Sequence, residues 1–385
     1  MPETTPETAP ETTPEAVPET TSEVISNVVP ETSPTATLET APKTTRKFVL
    51  ASRHSQLAQI QTNIVRDELA KLHPDITFET SFMATGGDKN QSQALYLLGG
   101  KALWTKELEV SMLEGSVDLL VHSFKDVPTV LPEGCEIAGV LERENPLDCL
   151  IVKQGLSYKS LEELPEGSVV GTSSVRRVAQ LKRRFPKLAF KDCRGNLNTR
   201  MAKLDAPDSP FTAIILAKAG MVRLGWGARI TCDLGPPTAL HAVSQGALAI
   251  EIRSDDEQAR QLCRSITHWP TEWSCLAERA CLRVLEGGCS VPVGVYTTLT
   301  EEPAEEGTKK GKLHITGCVT SLEGDKHVEH FIEAHVHTAE EAEAIGAKLA
   351  QVLIETGARQ ILDDINADRE KRIQEAKEKN EKVDA

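Results

Sequence analysis

The run VVGTSSVRR at residues 169–177 decides the fold class of this chain. Two β-branched valines are typical of a short buried strand, and the glycine after them lets the chain turn at once. Ser173 or Ser174 is suited to begin a helix, because a serine oxygen accepts a hydrogen bond from an amide of the first turn. The run therefore predicts a strand, a tight turn and a helix over residues 175–185.

A second run of the same kind follows in LAFKDCRGNLNTR at residues 188–200, with a helix predicted over residues 197–204. Outward from these two runs, apolar strands alternate with amphipathic helices. Further strands are predicted at 46–50, 76–83, 119–122, 150–152, 213–216 and 247–252, and helices from about residue 55 and over 104–114. Such alternation predicts α/β layers with mainly parallel sheets.

After residue 271 the pattern changes. A helix is predicted at 272–285, three strands at 293–299, 313–320 and 327–336, and another helix at 339–356. Consecutive strands followed by a helix predict a small α+β unit with an antiparallel sheet. A length of 385 residues is sufficient for two or three cores.

The composition excludes several classes of partner. The formal net charge is −14, which disfavours non-specific binding to nucleic acid and requires any anion site to be a local cluster of arginines. No run approaches the ~18 apolar residues of a membrane span. The nine cysteines are scattered and never in CxxC spacing, which favours reduced thiols in the cytosol over disulfides or a zinc site.

The first 42 residues differ from the rest of the chain. Pro-Glu-Thr recurs there, with eight glutamates and no lysine or arginine. Such a segment is predicted to be disordered because it offers too little apolar surface to offset its ordering entropy. Its charge is also opposite to that of a mitochondrial transit peptide.

Arginines follow both glycine turns. Arg176 and Arg177 fall in the first turn of one predicted helix, where the helix dipole disfavours cations. Arg194 and Arg200 flank the second turn. Because the planar guanidinium binds carboxylates bidentately, this placement indicates an anionic ligand. The alternative is a basic helix face that continues through residues 182–184.

The octapeptide HSFKDVPT at residues 122–129 follows a predicted strand, at the end of the strand where α/β proteins place ligand sites. Pro128 keeps Val127 extended, so a long helix cannot begin there. Lys125 and Asp126 form either a solvated ion pair or part of a site in which a carboxylate faces a developing positive charge.

One cysteine lies in a glycine-rich turn, EGGCSVPV at residues 286–293. The two glycines would let a bulky group approach Cys289 closely. A lone cysteine is more often a small apolar core residue, which is our interpretation of Cys275 and Cys281 on the preceding helix. Four nearby histidines could suggest a metal, but strand alternation separates them, and none is predicted. They are His327, His330, His335 and His337.

Together these motifs resemble the porphobilinogen deaminase (hydroxymethylbilane synthase) family, over about residues 46–360. TGGD at 85–88 resembles the start of that family's mobile lid, which would span 89–100 here. Trp104 occupies a position where many relatives have phenylalanine. The resemblance implies two periplasmic-binding-protein-like lobes and a small α+β domain. The implied division is a disordered Pro/Glu/Thr-rich tail at 1–45, domain 1 at 46–140 plus 237–258, domain 2 at 141–236 and domain 3 at 259–385.

The resemblance also implies a function. The expected enzyme is a transferase of tetrapyrrole and haem biosynthesis that joins four porphobilinogen molecules, with loss of ammonia, into hydroxymethylbilane. Cys289 would hold a dipyrromethane cofactor through a thioether, and Asp126 would stabilise the cation that forms as ammonia leaves. The implied substrate-binding residues are Arg53, Ser55, Lys125, Arg176, Arg177 and Arg200. The implied cofactor-binding residues besides Cys289 are Ser123, Lys125, Asp126, Thr172, Ser173, Ser174, Arg176, Arg194, Asn196, Arg200, Arg223 and Gln245.

The resemblance implies a cytoplasmic monomer that binds no nucleic acid, membrane or metal. Two other classes of protein fit parts of the sequence. A binding-protein-like receptor for a small anion would share the first two lobes but has no use for a third domain with Cys289. A phosphate or nucleic-acid module would use the arginines but would not pair them with Asp126 in an acidic chain.

Overall fold

The structure, a computed structural model, describes residues 46–86, 103–285 and 291–378. Three features predicted from the sequence lie outside the described residues: the tail at 1–45, the lid at 89–100 and Cys289. Within the described part of the chain, no helix is long and apolar enough to cross a membrane.

The first lobe is built on a five-stranded sheet in which one strand arrives from a distant part of the chain. Its order is β2 (Phe78–Met83), β1 (Phe48–Arg53), β3 (Leu119–Ser123), β10 (Leu248–Arg253) and β4 (Cys135–Val140). β1 runs parallel to β2 and β3, whereas β10 is antiparallel to both of its neighbours. Four of the five strands therefore point the same way, and the chain returns to this sheet after it has built the second lobe.

The second lobe repeats that plan. Its sheet has the order β7 (Ala189–Lys191), β6 (Val169–Gly171), β8 (Ala213–Ala217), β5 (Asp148–Val152) and β9 (Cys232–Leu234). Here β5 is the reversed strand. The expectation of mainly parallel sheets is confirmed for strand direction. Each sheet nevertheless contains two antiparallel pairings, because one strand enters it in the opposite sense.

The third unit is a three-stranded antiparallel sheet of β11 (Val293–Glu301), β12 (Gly311–Thr320) and β13 (His327–Val336). Its apolar face packs on helices α7 (Trp269–Val284) and α8 (Ala339–Leu353). Cys281 belongs to this core, and both Cys275 and Cys281 are fully buried, as predicted from their helical positions. All eight cysteines of the described residues are free thiols.

The remaining helices cover the sheets of the two lobes or end the chain. They are α1 (Gln56–Leu72), α2 (Lys106–Leu113), α3 (Val175–Arg184), α4 (Leu197–Asp205), α5 (Lys218–Arg223), α6 (Glu257–Ser265) and α9 (Arg359–Glu378). Most of the predicted helices and strands are present, with ends that differ by up to three residues, as expected where terminal hydrogen bonds are weak.

One predicted boundary is wrong. We expected domain 3 to begin at residue 259, yet Ala259, Leu262 and Cys263 of α6 pack in the core of the first lobe, against Val65 and Leu69 of α1. The apolar side of α6 faces the first sheet, so burying it there removes it from water. The first lobe therefore extends to about residue 266, and the third unit begins with α7.

Candidate active site

A buried carboxylate organises the arginines of the first glycine turn. Asp148, the first residue of β5, accepts a hydrogen bond from Arg176 Nη2 at 2.8 Å and one from Arg177 Nη2 at 2.7 Å. The other Nη atoms donate to the carbonyls of Leu240 and Ile215. Burial favours a higher pKa for Asp148, but the two guanidinium groups lower its pKa by more, and it is held below its ordinary range. The three groups together carry one net positive charge out of contact with bulk water.

The two arginines are therefore held by protein groups, and their Nη atoms do not point freely into solvent. Each is about 5% exposed. The Nε–H groups of Arg176 and Arg177 are buried and have no hydrogen-bond partner within the described residues. A buried N–H without a partner costs free energy, so an acceptor on a bound ligand would stabilise both side chains.

Gln245 connects this triad to the lysine of the octapeptide. Its Nε2 donates to Asp148 Oδ1 at 2.8 Å and to the carbonyl of Pro146 at 2.7 Å. Its Oε1 accepts from Lys125 Nζ at 3.2 Å. Burial lowers the pKa of Lys125 to about 8; Asp126 opposes this shift and Arg177 adds to it.

The turn that presents Lys125 and Asp126 is a single 3₁₀ turn, Phe124–Asp126. Val127 is extended, as the following proline predicts. Phe124 and Val127 are buried and fix the two ends of the turn in the core. Asp126 is half-buried and has no hydrogen-bond partner among the residues that the structure describes. Its carboxylate is therefore not committed to a structural contact there.

The hydroxyl groups near the first glycine turn shape the loop itself. Ser174 caps α3 by accepting from the Arg177 amide, which confirms one of the two predicted caps. Thr172 Oγ1 accepts from the Ser174 amide at 3.3 Å, and Ser173 Oγ accepts from the Cys193 amide at 3.2 Å. These contacts hold together the loops that follow β6 and β7.

The second glycine turn presents Arg200 differently from the buried pair. Its Nε donates to the carbonyl of Gly195 at 2.6 Å, and Gly195 has a φ of 109°, which only glycine adopts readily. No carboxylate of the described residues lies within ion-pair distance of Arg200. Burial and the nearby Arg177 lower the pKa of Arg200. Asn196, the N-cap of α4, accepts from Thr199 Oγ1 and does not bond to the helix amides, and Arg194 precedes this turn.

Four other predicted residues have definite contacts in the structure. The Arg53 guanidinium lies 4.2 Å from the ring centroid of Trp104, within the range of a cation–π interaction. Ser55 caps α1 by accepting from the Ala58 amide. Arg223 Nη2 donates to the carbonyl of Gly246 at 2.7 Å, and burial lowers the pKa of Arg223. Ser123 exchanges hydrogen bonds with Gln61 and so anchors the start of the octapeptide to α1.

Sequence reasoning missed the residues that join the three units. Arg143 forms a bidentate pair with Glu278 of α7, at 2.6 and 3.0 Å, and its Nε donates to the carbonyl of Gln245. Glu278 also accepts from the Ser244 amide at 2.6 Å. The signal was present in the sequence: Asp148 opens the apolar strand DCLIV, and Glu278, with Arg279 beside it, interrupts a mainly apolar stretch of helix. A charged residue in such a run requires a buried partner.

The fold and the site together define a class of protein. It is a two-lobed α/β protein with an appended α+β domain, in which arginines and a lysine follow β1, β3, β6 and β7. Lys125 and Arg200 lie close enough to the Asp126 carboxylate for its charge to raise their pKa values. This chemistry suits a ligand that carries carboxylates and a reaction in which positive charge develops.

Comparison with known families identifies which one. The family model described as porphobilinogen deaminase, dipyromethane cofactor binding domain, matches residues 48–261, and the one described as porphobilinogen deaminase, C-terminal domain, matches residues 273–355. The chain belongs to the porphobilinogen deaminase family. The prediction of an enzyme of tetrapyrrole biosynthesis with a dipyrromethane cofactor is thereby confirmed.

Curated relatives named porphobilinogen deaminase match most of the chain. The protein of Yarrowia lipolytica is 47% identical over 325 residues, which cover 83% of this chain and 94% of the relative. That of Nostoc sp. is 48% identical, covering 84% and 96%, and that of Saccharomyces cerevisiae is 46% identical, covering 83% and 97%.

Among solved structures, the periplasmic VFT2 domain of Bordetella pertussis BvgS is 13% identical. It covers 57% of this chain and 86% of its own, with a TM-score of 0.33. At that score the likeness is too partial to argue from, and the description of the fold depends on the strand orders given above.

Proposed function

We propose that the cluster around Asp126 and Lys125 is where this enzyme holds its dipyrromethane cofactor and adds porphobilinogen units, with Asp126 as the catalytic carboxylate. The observation that carries the proposal is the half-buried Asp126 carboxylate, which has no hydrogen-bond partner in the described part of the chain, beside Lys125. A carboxylate held there without a structural partner can stabilise a cation that develops next to it.

The residues fit a pyrrole cofactor that carries acetate and propionate groups. Arg200 has no carboxylate partner within the described residues, and the Nε–H groups of Arg176 and Arg177 lack acceptors there. These donors suit carboxylates, each bond to a charged group contributing roughly 1.5–3 kcal/mol. When bound, the dipyrromethane would supply the free pyrrole carbon to which the first new unit is joined.

The residues of this chain would then have separate roles in binding the pyrroles and in stabilising charge. Arg200, Arg176 and Arg177 would bind carboxylates and fix the orientation of the pyrroles. Lys125 would add positive charge beside them when protonated. Asp126 would stabilise the positive charge that develops on the substrate when the C–N bond of porphobilinogen's aminomethyl group breaks and ammonia leaves. The remaining residues of these loops would line the site: Arg53, Ser55, Ser123, Thr172, Ser173, Ser174, Arg194 and Asn196. Arg223 and Gln245 would hold these loops in position through their hydrogen bonds to Gly246 and Asp148.

We further propose Cys289 as the point of covalent attachment. Support comes from its glycine-rich surroundings in the sequence and from the family match, and it lies outside the described residues. Intact-mass measurement should find an adduct of two pyrrole units, and peptide mapping should assign it to Cys289. The Cys289→Ser variant should lack the adduct. An unmodified protein with full activity, or an adduct retained in Cys289→Ser, would contradict the assignment.

We also propose a cytoplasmic, monomeric enzyme whose domains span 46–140 plus 237–266, 141–236 and the remainder from 267. Free thiols at all eight described cysteines fit a reducing compartment. The Lys125–Gln245–Asp148 network is complete within one chain, which fits a site that needs no second copy. Sedimentation velocity tests the oligomeric state: a single species of about one chain mass is expected, and a concentration-independent dimer would contradict it.

A further inference from the structure

Arg279 is a buried cation without an acidic partner among the residues that the structure describes. It lies on α7, is 5% exposed, and no carboxylate of the described residues lies within ion-pair distance of it. Its Nη1 donates to the carbonyl of Val127 at 3.1 Å, and its Nη2 donates to the carbonyl of Pro128. The guanidinium carbon lies 4.4 Å from the centroid of the Phe124 ring.

Burying the Arg279 guanidinium costs more free energy than a purely structural packing role would require. Transfer of a charged side chain from water into the interior costs free energy unless a counter-charge and hydrogen bonds compensate it. Burial lowers the pKa of Arg279 to about 10, so it remains protonated at neutral pH. An apolar side chain of the same length would occupy the position without that cost, but it could not bind two carbonyls at once.

The three groups that Arg279 contacts flank the catalytic turn on both sides. Phe124 begins the 3₁₀ turn that holds Lys125 and Asp126, and Val127 and Pro128 follow it directly. A single guanidinium from the third unit therefore fixes both ends of the turn from the first lobe. The helix that carries it ends at Val284, and the sequence soon reaches Cys289.

Two kinds of contact hold the turn at this seam. Phe124 and Val127 belong to a buried apolar cluster that includes Cys275 of α7. A cavity of about 320 Å³ also borders Phe124, and its other lining residues are Ile137, Val140, Arg264, Glu272, Leu276, Ala339, Glu340 and Glu343. Because this space interrupts the apolar packing next to Phe124, the hydrogen bonds of Arg279 add to that packing in holding the turn in place.

We propose that Arg279 is a positioning residue: it holds residues 124–128 against α7 so that Asp126 stays at a fixed place relative to the third unit during each addition. The inference rests on the role proposed for Asp126. A displacement of about 1 Å at a reacting group can reduce a rate by about a hundredfold, so loss of this clamp should slow the chemical step.

The test uses three variants of the cofactor-loaded protein, with loading verified by intact mass. Arg279→Met keeps the length of the side chain and removes both donors. Arg279→Lys keeps the charge but cannot bind both carbonyls in the fork geometry. Arg283→Met is the matched control, since Arg283 lies on the same helix one turn later and forms only an exposed pair with Glu343. Single-turnover ammonia release, KM and Tm are measured for each.

Arg279→Met should release ammonia at least about tenfold more slowly, with KM changed by less than about twofold. Arg279→Lys should recover part of the rate, and Arg283→Met should match the unaltered protein. A merely structural role would lower Tm but leave the rate unchanged at temperatures well below it. An unaltered rate in Arg279→Met, or an equal loss in Arg283→Met, overturns the inference.

If Arg279→Met does not fold, Arg279→Lys decides, and an unaltered rate in that variant overturns the bidentate clamp. Asp126→Asn is measured in parallel to separate the two proposals. A wild-type rate in Asp126→Asn would refute the role of Asp126 itself. A slow Asp126→Asn together with a wild-type Arg279→Met would refute only the positioning role.

Discussion

Gln245 Nε2 donates a hydrogen bond to Asp148 Oδ1 at 2.8 Å and so ties the segment that re-enters the first lobe to the first strand of the second. The same amide accepts from Lys125 through Oε1. The turn that carries Lys125 and Asp126 in one lobe and the buried arginine pair of the other lobe are therefore joined by one chain of hydrogen bonds. A change in the charge of Lys125 or Asp148 should shift the pKa of the other group, because solvent ions screen buried charges poorly.

Replacement of Asp126 by asparagine should abolish most of the activity and leave the fold intact. The variant cannot carry charge, so kcat should fall at least about a hundredfold, as for the loss of one electrostatic stabiliser. Tm should hardly change, because Asp126 has no hydrogen-bond partner among the described residues. The measurement is single-turnover kinetics on cofactor-loaded protein. Asp192→Asn, at an exposed carboxylate near Arg200, is the control and should remain active; equal rates in both variants would move the catalytic role elsewhere.

Replacement of Asp148 by asparagine should destabilise the protein strongly. The change leaves Arg176 and Arg177 buried without a counter-charge, which costs about 3–5 kcal/mol. Urea unfolding monitored by fluorescence measures the loss. The control is Asp205→Asn, which breaks the bidentate but half-exposed pair with Arg229 and should cost no more than about 1 kcal/mol. Similar losses of stability in the two variants would show that the ion pairs of Asp148 with Arg176 and Arg177 are not critical for stability.

The activity should decrease as the pH rises through the pKa of Lys125. Burial lowers this pKa to about 8, so the ammonium is largely charged at pH 7 and largely neutral at pH 9. Its electrostatic contribution to binding carboxylates should disappear over that interval. A pH profile of kcat/KM should therefore have an alkaline limb near pH 8 that is absent in Lys125→Met. Persistence of the limb in the variant would assign it to another group.

The lowered pKa of Lys125 should make the stability of the protein rise with pH, whereas its activity should fall. The folded protein binds the Lys125 proton less tightly than the unfolded chain, whose lysine titrates near 10.5. Between these two values the unfolded state binds more protons, so the contribution of Lys125 to the free energy of unfolding rises with pH. The free energy of unfolding of the unaltered protein should therefore rise relative to that of Lys125→Met from about pH 7.5 to about pH 10.

Gly246 should not tolerate a side chain. Its φ is 92°, and a Cβ would lie 2.2 Å from the carbonyl oxygen of Glu144. Gly246→Ala should destabilise the protein by at least about 1–3 kcal/mol and displace the adjacent Gln245. Gly155→Ala is the control, because Gly155 has a φ of 88° but open space around it, so it reports the backbone strain alone. Chemical denaturation compares them; an equal loss would show that the contact with Glu144 relaxes.

Local sequence was sufficient for much of the architecture. Each cap and turn that we predicted correctly depends on residues no more than a few positions apart. Ser174 accepts from the amide of Arg177, and Pro128 keeps its neighbour Val127 extended. The alternation of strands and helices and the change of pattern after residue 271 are also visible in the sequence, because burying one face of each element requires a fixed apolar period.

The family motifs identified the site residues, but their contacts depended on the tertiary structure. Arg176 and Arg177 were expected to present their charge to a ligand, and the structure shows them bound to Asp148, 28 and 29 positions away. The packing of α6 on the first lobe and the clamp of Arg279 on residues 124–128 likewise join distant segments.

The sequence by itself determined the order of elements, the helix caps and the family, since each depends on residues close together in the chain or on motifs read directly. Only the tertiary structure decided which charges neutralise one another. Asp148 and Arg176 meet within the second lobe although 28 positions separate them, and Arg143 and Glu278 meet where two units are in contact. The free energy of a buried charge depends on the groups within a few ångströms of it, whatever their separation in sequence.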